Sequence, residues 1–575
     1  MNGRGVLLIS AVLVCTAGGH AAAADPGRKV VLPRELVDAV LASDNPGPLA
    51  RAFGMTTLMG RRLDTGHGPV RRALRTRSLK ARWHRWHRRP PKLGDVAITN
   101  DPLLTQNAPS IVSHPRYKSV LVAAYVGFPF PEAQETQCIV KRSFDGGRTW
   151  SDGVFLPLRS TAVSCGGPVL AYSPDGRRLY VAYQDFRAER TDPEELPEGG
   201  SRYRSEGDAD IAVSVSTDHG RTWSASSAAL DGEPWGFTVT CGADGTCTTS
   251  DEVGGSNYSR ASIGIAKCRH RRDEIYVTGT RGAQVDETAP RFAIAFTRSA
   301  HRRWTPPTVV DFTTRPASEE IVQGAQVAVT PGGKTLVAWY HSSDDGPRVG
   351  RFEIRTRHSV DRGRSWGPIV KATIDEDETN FWLGSNPRLK TWWTNVFPRL
   401  AIDRGGRAHI VYTHDPEPGS DTGEEGDIRY ITSKGAPYGE WSGPVTVNDD
   451  GFGAAQGRPS LAVRQRGRRS IVDVIWEDTR LSSEISAEPQ STNLYYDIFH
   501  SWLTPGRGAG WTPNRRVSDE SSLQSSQFIE SGTSLATNGT LLYGAWVDRR
   551  DKTSLTELGE NIYGSRILAG RATHR

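Results

Sequence analysis

The sequence predicts an all-β protein built from repeated antiparallel units, and three observations support this. An eight-residue pattern, Ser-x-Asp-x-Gly-x-Thr/Ser-Trp, occurs at 143–150, 216–223 and 359–366. Short apolar strands joined by Gly-containing turns fill the chain from about residue 95 onward. A closing Trp recurs about every 72 residues, at positions 150, 223, 304, 366, 441 and 511. Four-stranded units at a fixed period are typical of a β-propeller.

Each copy of the octapeptide follows a run of alternating apolar residues and precedes another short strand, so it is predicted to be a β-hairpin turn. The Asp side chain can accept hydrogen bonds from backbone amides just after it, and Gly supplies a positive φ. The Trp offers a large apolar face for packing between sheets. We therefore expect these residues to be structural.

The number of units follows from the first strand of each unit. Seven such strands are predicted, at 108–113, 167–173, 260–266, 324–330, 397–403, 458–464 and 532–538. This count predicts seven four-stranded blades, with six blades as the alternative. The last unit ends after its third strand, at 560–567, and 95–102 resembles the fourth strands elsewhere. We expect 95–102 to complete the last blade, because this pairing would remove two exposed edges.

The chain ahead of the propeller divides into two segments. Residues 1–24 resemble a secretory signal, with Arg4, an apolar stretch and a small-residue cleavage site before Asp25. Residues 25–94 are predicted to be an extension with a short helix at 33–43 and a basic linker. The propeller domain is assigned to 95–575. These features predict a secreted protein without a membrane span.

The formal net charge of +6 is a local effect. Residues 71–92 carry ten Lys and Arg and no acid, and the rest of the chain has a balance of −4. This distribution does not indicate a nucleic-acid-binding body. This segment is interpreted as a solvated linker or pro-segment, or as a contact to an anionic cell-wall polymer or membrane surface.

Five cysteines remain after the predicted signal. Cys241 and Cys247 flank a turn-rich loop and are the expected disulfide, while Cys138 and Cys165 could join neighbouring sheets. Cys268 is then left over. The spacings fit no zinc site, and no metal or cofactor is predicted.

The octapeptide resembles the Asp-box, or bacterial neuraminidase repeat, of the sialidase-like β-propellers. The matching residues are Ser143, Asp145, Gly147, Thr149 and Trp150, with counterparts around Asp218 and Asp361. The resemblance implies that these turns lie on the outer rim, away from a catalytic mouth. It also implies glycosidase chemistry with an Arg triad, a Tyr–Glu pair and an Asp acid/base.

The chain departs from that family at its first Arg. The family has Phe/Tyr-Arg-Ile-Pro on the first blade, whereas residues 107–110 read Asn-Ala-Pro-Ser. The sequence FPRLA at 397–401 is similar only superficially, because Pro398 precedes Arg399. We expect weak or no release of sialic acid for this reason.

Candidate site residues come from strand ends and insertions. Arg260, Arg399 and Arg458 lie near the start of first strands and could bind a carboxylate bidentately. The catalytic candidates are Asp185, Glu477, Asp478 and Asp548; the three Asp belong to Asp-x-Arg sequences that could instead be local ion pairs. Two insertions supply aromatic candidates for stacking on sugars, Trp235, Trp382, Trp392 and Trp393.

Two functional interpretations remain open at this point. The first is a glycoside hydrolase related to exo-α-sialidases, acting on an extracellular glycan or glycoconjugate. The second is a non-catalytic propeller that binds a glycan or a protein. A polysaccharide lyase is a third class. A monomer is expected in each case, and fold analogy alone does not choose between them.

Overall fold

The structure of the chain is a computed structural model. It describes residues 94–99, 105–127, 136–159, 162–191, 193–243, 246–253, 255–267, 272–283, 292–300, 303–314, 320–342, 352–373, 397–414, 426–450, 454–466, 469–482, 495–503, 510–523, 532–552 and 559–568. The predicted signal peptide, helix and basic linker lie outside these ranges, as do Cys268, Trp382, Trp392 and Trp393. Within these ranges, no helix is long and apolar enough to span a membrane.

The described residues contain 33 β-strands. In the first half they are β1 Val96–Ala97, β2 Gln106–Ser113, β3 Leu121–Gly127, β4 Gln137–Ser143, β5 Val154–Phe155, β6 Ala162–Tyr172, β7 Leu179–Arg190, β8 Glu194–Glu195, β9 Gly200–Ser216, β10 Ser227–Leu230, β11 Trp235–Gly242, β12 Cys247–Val253, β13 Ser256–Lys267, β14 Asp273–Ala283, β15 Phe292–Ala300, β16 Arg303–Trp304 and β17 Thr308–Phe312. The remainder are β18 Ile321–Val329, β19 Thr335–Ser342, β20 Phe352–Ser359, β21 Val370–Lys371, β22 Arg399–Ile402, β23 Ala408–His414, β24 Asp427–Thr432, β25 Val445–Thr446, β26 Gln456–Arg466, β27 Arg469–Asp478, β28 Tyr495–Leu503, β29 Arg515–Arg516, β30 Ser522–Leu523, β31 Thr533–Thr537, β32 Leu542–Asp548 and β33 Asn561–Arg566.

These strands form seven sheets among the described residues, and in each sheet the main strands follow one another in chain order, except that β1 completes the last sheet. Four sheets have four strands: β2 to β5, β18 to β21, β22 to β25, and the last sheet, β31-β32-β33-β1. The sheet of β6, β7, β9 and β10 is extended by β8, β11 and β12. The two others are β13 to β17 and β26 to β30. Every pairing is antiparallel, as expected for short connections between neighbouring strands.

The first strands of the sheets contact one another in a closed cycle. The order is β2, β6, β13, β18, β22, β26, β31 and back to β2. The sheets are therefore arranged radially around a centre lined by their first strands, and the chain is a β-propeller.

The ring closes with a strand from the beginning of the domain. β1 pairs with β33, with Val96 opposite Gly564 and Ala97 opposite Tyr563. Ile98 adds a backbone hydrogen bond of 2.8 Å to the carbonyl of Ile562. The predicted pairing of 95–102 with the last unit is confirmed, although the strand itself is limited to two residues.

Apolar cores fill the spaces between consecutive sheets. One such core combines residues of the last sheet with residues of the first sheet, among them Tyr543, Ile562, Ile111 and Leu121. Three indole side chains, those of Trp339, Trp476 and Trp546, are fully buried on second strands. Each sheet is thus stabilised by burial against both neighbours and not by a core of its own.

A recurring Ser connects neighbouring first strands, which the sequence analysis did not foresee. Each of four Ser hydroxyl groups accepts a hydrogen bond from a backbone amide of the next first strand. The pairs are Ser110 with Leu170, Ser262 with Val327, Ser460 with Leu535, and Ser534 with Ile111, at 3.0, 3.1, 3.1 and 3.0 Å. These bonds satisfy backbone donors where first strands lie close together without pairing as a sheet.

The octapeptide turns form the hydrogen bonds that their sequence predicts. In the first copy, Asp145 accepts bonds from the Thr149 amide at 3.0 Å and the Thr149 hydroxyl at 2.7 Å. Ser143 accepts a bond from the Gly147 amide at 2.8 Å. The same bonds recur around Asp218 and Asp361. A side chain at Gly147 would collide with Tyr543, because its Cβ would lie 2.0 Å from the ring.

The closing Trp residues pack against the preceding sheet. Trp150 meets Tyr543 of the last sheet edge-on, with 6.0 Å between ring centroids, and Trp366 meets Phe296 at 4.9 Å. Both indoles are half-buried. Their role in packing between sheets is confirmed.

We expect the Asp218→Ala variant to be less stable by about 1 kcal/mol, a small figure because the turn is solvent-exposed. Although burial raises it, hydrogen bonds from Thr222 and Ser216 lower the pKa of Asp218 to about 2. A lowered pKa means that the stabilisation is present above pH 4 and is lost as the pH falls toward 2. Urea unfolding of both proteins at pH 7 and pH 3 measures this difference. Asp218→Asn is the control, and a difference that grows at low pH would contradict the expectation.

The structure contains the two predicted disulfides. Cys138 of β4 is bonded to Cys165 of β6 and joins the first two sheets. Cys241 is bonded to Cys247 across the hairpin of β11 and β12.

Candidate functional site at the central mouth

First strands share a bulge near their beginning. In β2, β6, β13, β18 and β26 the register shifts at the same place, just after Asn107, Gly166, Ser259, Gln323 and Gly457. The residue that follows each of these has a positive φ: Ala108, Gly167, Arg260, Gly324 and Arg458. The bulge faces the ends of the second strands, and we call this end of the ring the central mouth.

Two bulge positions are held by arginine. Arg260 has φ 57° and Arg458 has φ 51°, a region that residues other than Gly, Asn and Asp seldom adopt. Such backbone strain persists where the surrounding structure holds it, and it concentrates at binding and catalytic sites. The two arginines are therefore candidates for a role that depends on their side chains.

The predicted trio of arginines does not share one position. On the fifth first strand, Phe397 takes the position that corresponds to the bulge residue and lies next to Gly324. Arg399 comes two residues later. A Cβ at Gly324 would lie 2.3 Å from the Phe397 ring, so only Gly leaves room for it. The expectation of three equivalent arginines is wrong, because the sequence FPR places Arg399 where other first strands have the connecting Ser.

Arg260 reaches across the intervening first strand. Its guanidinium carbon lies 5.8 Å from the centre of the Phe397 ring, two sheets further round the ring. The first strand β18 lies between those of Arg260 and Phe397, and at Gly324 it carries no side chain.

Burial and the charge of Arg399 both disfavour the charge of Arg260. Burial, followed by the charge of Arg399, lowers the pKa of Arg260 to about 10. Burial also lowers the pKa of Arg399. Two partly buried guanidinium groups of this kind form a site of positive potential that an anion would stabilise.

A buried amide lies on β18, the first strand between those of Arg260 and Arg399. Gln323 is fully buried on β18, immediately before Gly324, and neither its Oε1 nor its Nε2 has a hydrogen-bond partner. A buried side-chain amide without partners is costly, and such groups are usually satisfied by a water or a ligand. Sequence reasoning missed Gln323, because nothing in the pattern GAQVAVT distinguishes the residue that precedes it.

Arg458 forms a buried ion pair with a carboxylate of its own sheet. Its Nη1 lies 2.6 Å from Oε2 of Glu477, and both side chains are buried. Burial raises the pKa of Glu477, although the charge of Arg458 opposes the change. Tyr496, which is near this pair, donates a hydrogen bond of 2.6 Å to the Val547 carbonyl. The structure thus assigns Arg458 to an internal ion pair and not to the pair formed by Arg260 and Arg399.

The catalytic candidates Asp478 and Asp548 accept equivalent hydrogen bonds, each from a Trp and an Arg. Asp478 accepts hydrogen bonds from the indole of Trp476 at 2.8 Å and from Arg480 at 2.8 Å. Asp548 accepts them from Trp546 at 2.9 Å and from Arg550 at 2.7 Å. Both carboxylates are fully buried. These contacts favour the ion-pair interpretation of the two Asp-x-Arg sequences.

Asp185 does not pair with the Arg two residues later. Its carboxylate accepts hydrogen bonds of 3.0 and 3.1 Å from Arg159, while Arg187 pairs with Asp208 and Asp210. The predicted local pair is wrong here because β7 continues through Arg187 and places this residue directly opposite Asp208 of β9. Asp185 is nonetheless held in an ion pair, as the other two are.

The aromatic candidates are placed only in part. Trp235 is the first residue of β11, which extends the second sheet outward. Trp382, Trp392 and Trp393 lie outside the described residues. Their role in sugar stacking stays a prediction.

No family model matches the chain, and no curated protein matches it. Among solved structures, it is similar to a protein of unknown function from Dyadobacter fermentans, with 11% identity, a TM-score of 0.39, and coverage of 83% of this chain and 98% of that one. It is also similar to the phage phi92 endosialidase, with 10% identity, a TM-score of 0.40 and coverage of 84% and 70%. A third is the Penicillium chrysogenum α-L-arabinanase complexed with arabinobiose, with 15% identity, a TM-score of 0.38 and coverage of 68% and 94%.

The solved structures that the chain resembles thus include sialidases. At these identities and TM-scores, similarity carries no argument about activity or substrate. The strand pairing and the closed cycle of first strands define the fold as a β-propeller.

Proposed function

We propose that the chain is a secreted, carbohydrate-active β-propeller that binds an anionic group of an extracellular glycan at the central mouth. Arg260 and Arg399 would bind the anion, and Gln323 would hydrogen-bond a neighbouring polar group of the ligand. The observation that carries the proposal is the buried, unpartnered amide of Gln323 on β18, the first strand that lies between those of Arg260 and Arg399.

The charge balance of the site supports an anion as the ligand. Among the described residues, no ion pair involves Arg399, and its charge adds to the effect of burial in lowering the pKa of Arg260. Partly buried like charges repel each other in the free protein. A bound carboxylate would remove this repulsion and could accept hydrogen bonds from both groups.

Glycoside hydrolysis is the second candidate function, and Glu477 favours it. This buried carboxyl has a raised pKa and lies near Tyr496, so an acid on the second strand and a phenol on the third strand of one sheet occur together. Against it, the phenol donates to the Val547 carbonyl and Arg458 holds the carboxylate. Binding without hydrolysis therefore accounts for more of the observed contacts.

We also propose that each of the seven sheets is one blade, which favours a ring of seven blades over the alternative of six. The support is that each sheet has its own first strand and that these strands contact one another in order round the ring. Export of the protein and a monomeric state are proposed on the sequence alone.

A binding experiment tests the proposed site. We expect Arg399→Ala to bind an oligosaccharide of hexuronic acids about tenfold to a hundredfold more weakly, which corresponds to about 1.5–3 kcal/mol for a hydrogen bond to a charged group. Its affinity for the carboxyl-reduced counterpart of the same length should change less than about twofold. Titration calorimetry with both sugars gives the comparison.

The matched control is Arg469→Ala, which removes an exposed arginine of β27. It should leave both affinities unchanged. Equal losses for the acidic and the neutral sugar in Arg399→Ala would reject the role of Arg399 in binding the anion. A sialoside reporter assay distinguishes the second function: robust release that Tyr496→Phe abolishes would establish hydrolysis.

A further inference from the structure

The joint between the β22–β25 and β26–β30 sheets contains a three-residue clamp. The Asp449 amide donates to Asn514 Oδ1 and the Asn514 amide donates to Asp449 Oδ2, both at 2.8 Å. Arg480 donates to both side chains, at 2.8 Å to Asp449 and 3.0 Å to Asn514. The clamp fixes the beginning of an outer strand, β29, against the end of the preceding sheet.

The closure of the ring repeats this clamp with one change. The Asp519 amide donates to Asp95 Oδ2 at 2.8 Å, and the Asp95 amide donates to Asp519 Oδ2 at 3.0 Å. Arg550 donates to Asp519 at 2.6 Å and to Asp95 at 2.7 Å. Arg480 and Arg550 even stack on equivalent rings, those of Phe499 and Tyr563. The difference is that Asp95 occupies the place of Asn514.

This difference leaves one atom without a partner. In the first clamp, Asn514 Nδ2 donates to the Val447 carbonyl at 3.0 Å. In the second, the corresponding atom is Oδ1 of Asp95, which is buried and has no hydrogen-bond partner. A carboxylate can only accept hydrogen bonds, whereas a carboxylic acid can donate one as the amide does.

We propose that Asp95 is a neutral carboxylic acid in the closed ring and has the role in its clamp that the Asn514 amide has in the other clamp. Ionisation of Asp95 in alkaline solution would then loosen the pairing of β1 with β33. We call the protonated Asp95 with Asp519 and Arg550 the acid latch, because it would hold the ring closed. This inference is independent of the proposed ligand site.

The surrounding charges agree with a proton on Asp95. Burial, and then the hydrogen bond to the Asp519 side chain, raise the pKa of Asp95 to about 8 against the charge of Arg550. Burial raises the pKa of Asp519, but hydrogen bonds from Asp95 lower it to about 2, so Asp519 is ionised and the proton belongs to Asp95. The titratable and charged groups on the elements around Asp95 are Asp519, Arg550, Asp548, Tyr543 and Tyr563.

The sign of the pH dependence follows from the raised pKa. The folded state holds the proton over a pH range in which the unfolded chain has released it. The stabilisation is complete below about pH 4 and is lost as the pH rises toward about 8. An Asn at this position has no proton to lose, so Asp95→Asn should keep its stability over the same range.

The experiment compares the full-length wild type with Asp95→Asn. We expect the unfolding equilibrium constant of the wild type to rise, relative to that of the variant, by about tenfold per pH unit until it levels off near pH 8. Comparing the two proteins at each pH cancels the titration of other groups. Hydrogen exchange of the amides of Val96, Ala97 and Ile98 should follow the same trend.

The reciprocal variant Asn514→Asp provides a second measurement. It should introduce the same pH dependence at the other clamp, while β1 keeps its wild-type protection. A ratio of wild type to Asp95→Asn that does not change between pH 5 and pH 9 would overturn the proposal. This comparison does not depend on whether Asn514→Asp folds.

Discussion

Arg458→Ala is expected to lower the free energy of unfolding by about 3–5 kcal/mol, the cost typical of breaking a buried ion pair from one side. The substitution would leave the Glu477 carboxylate buried without its cation. Urea unfolding followed by tryptophan fluorescence measures the change. The loss should be smaller at low pH, because a protonated Glu477 carries no charge to be compensated.

A double variant separates the charge from the packing. Replacing both residues with apolar ones of similar volume, Arg458→Met with Glu477→Leu, should recover most of the lost stability, since no buried charge remains. A double variant no more stable than Arg458→Ala would show that the ion pair is not the source of the effect. The affinities of Arg458→Ala and of the double variant for the oligosaccharide of hexuronic acids show whether Arg458 contributes to ligand binding.

Arg550→Ala should be nearly as damaging, at about 3–5 kcal/mol, because it removes the cation from the fully buried Asp548 and a hydrogen-bond donor from Asp95. Arg480→Ala is its structural counterpart and should cost a similar amount. The two variants should differ in location: Arg550→Ala frees β1 for hydrogen exchange, and Arg480→Ala does not. Equal exchange of the β1 amides in both would contradict the assignment of Arg550 to ring closure.

The fold was predictable where side-chain pattern and local turn chemistry act together. The octapeptides around Asp145, Asp218 and Asp361 encode their own hydrogen bonds, so the turns and the packing of Trp150 follow from the sequence. Both disulfides were predicted as well. The pairing of β1 with β33 was predictable because the sequence of the last unit lacks a fourth strand.

The site was predictable only in part, because its geometry depends on residues from different sheets. The sequence indicated arginines at the start of first strands, but not that Phe397 takes the place beside Gly324 or that Arg458 is matched with Glu477. The connecting role of Ser110, Ser262, Ser460 and Ser534 depends on contacts between strands about 60 residues or more apart. An aligned list of the seven first strands would have shown this Ser.

The central claim, an anion bound between Arg260 and Arg399 at the mouth of the propeller, is tested most directly by a crystal structure with an oligosaccharide of hexuronic acids. We predict a ligand carboxylate within hydrogen-bond distance of both guanidinium groups, with the Gln323 amide bonded to the ligand or to a water beside it. A structure in which the sugar binds elsewhere, while acidic side chains of the chain itself occupy both guanidinium groups, would contradict the account.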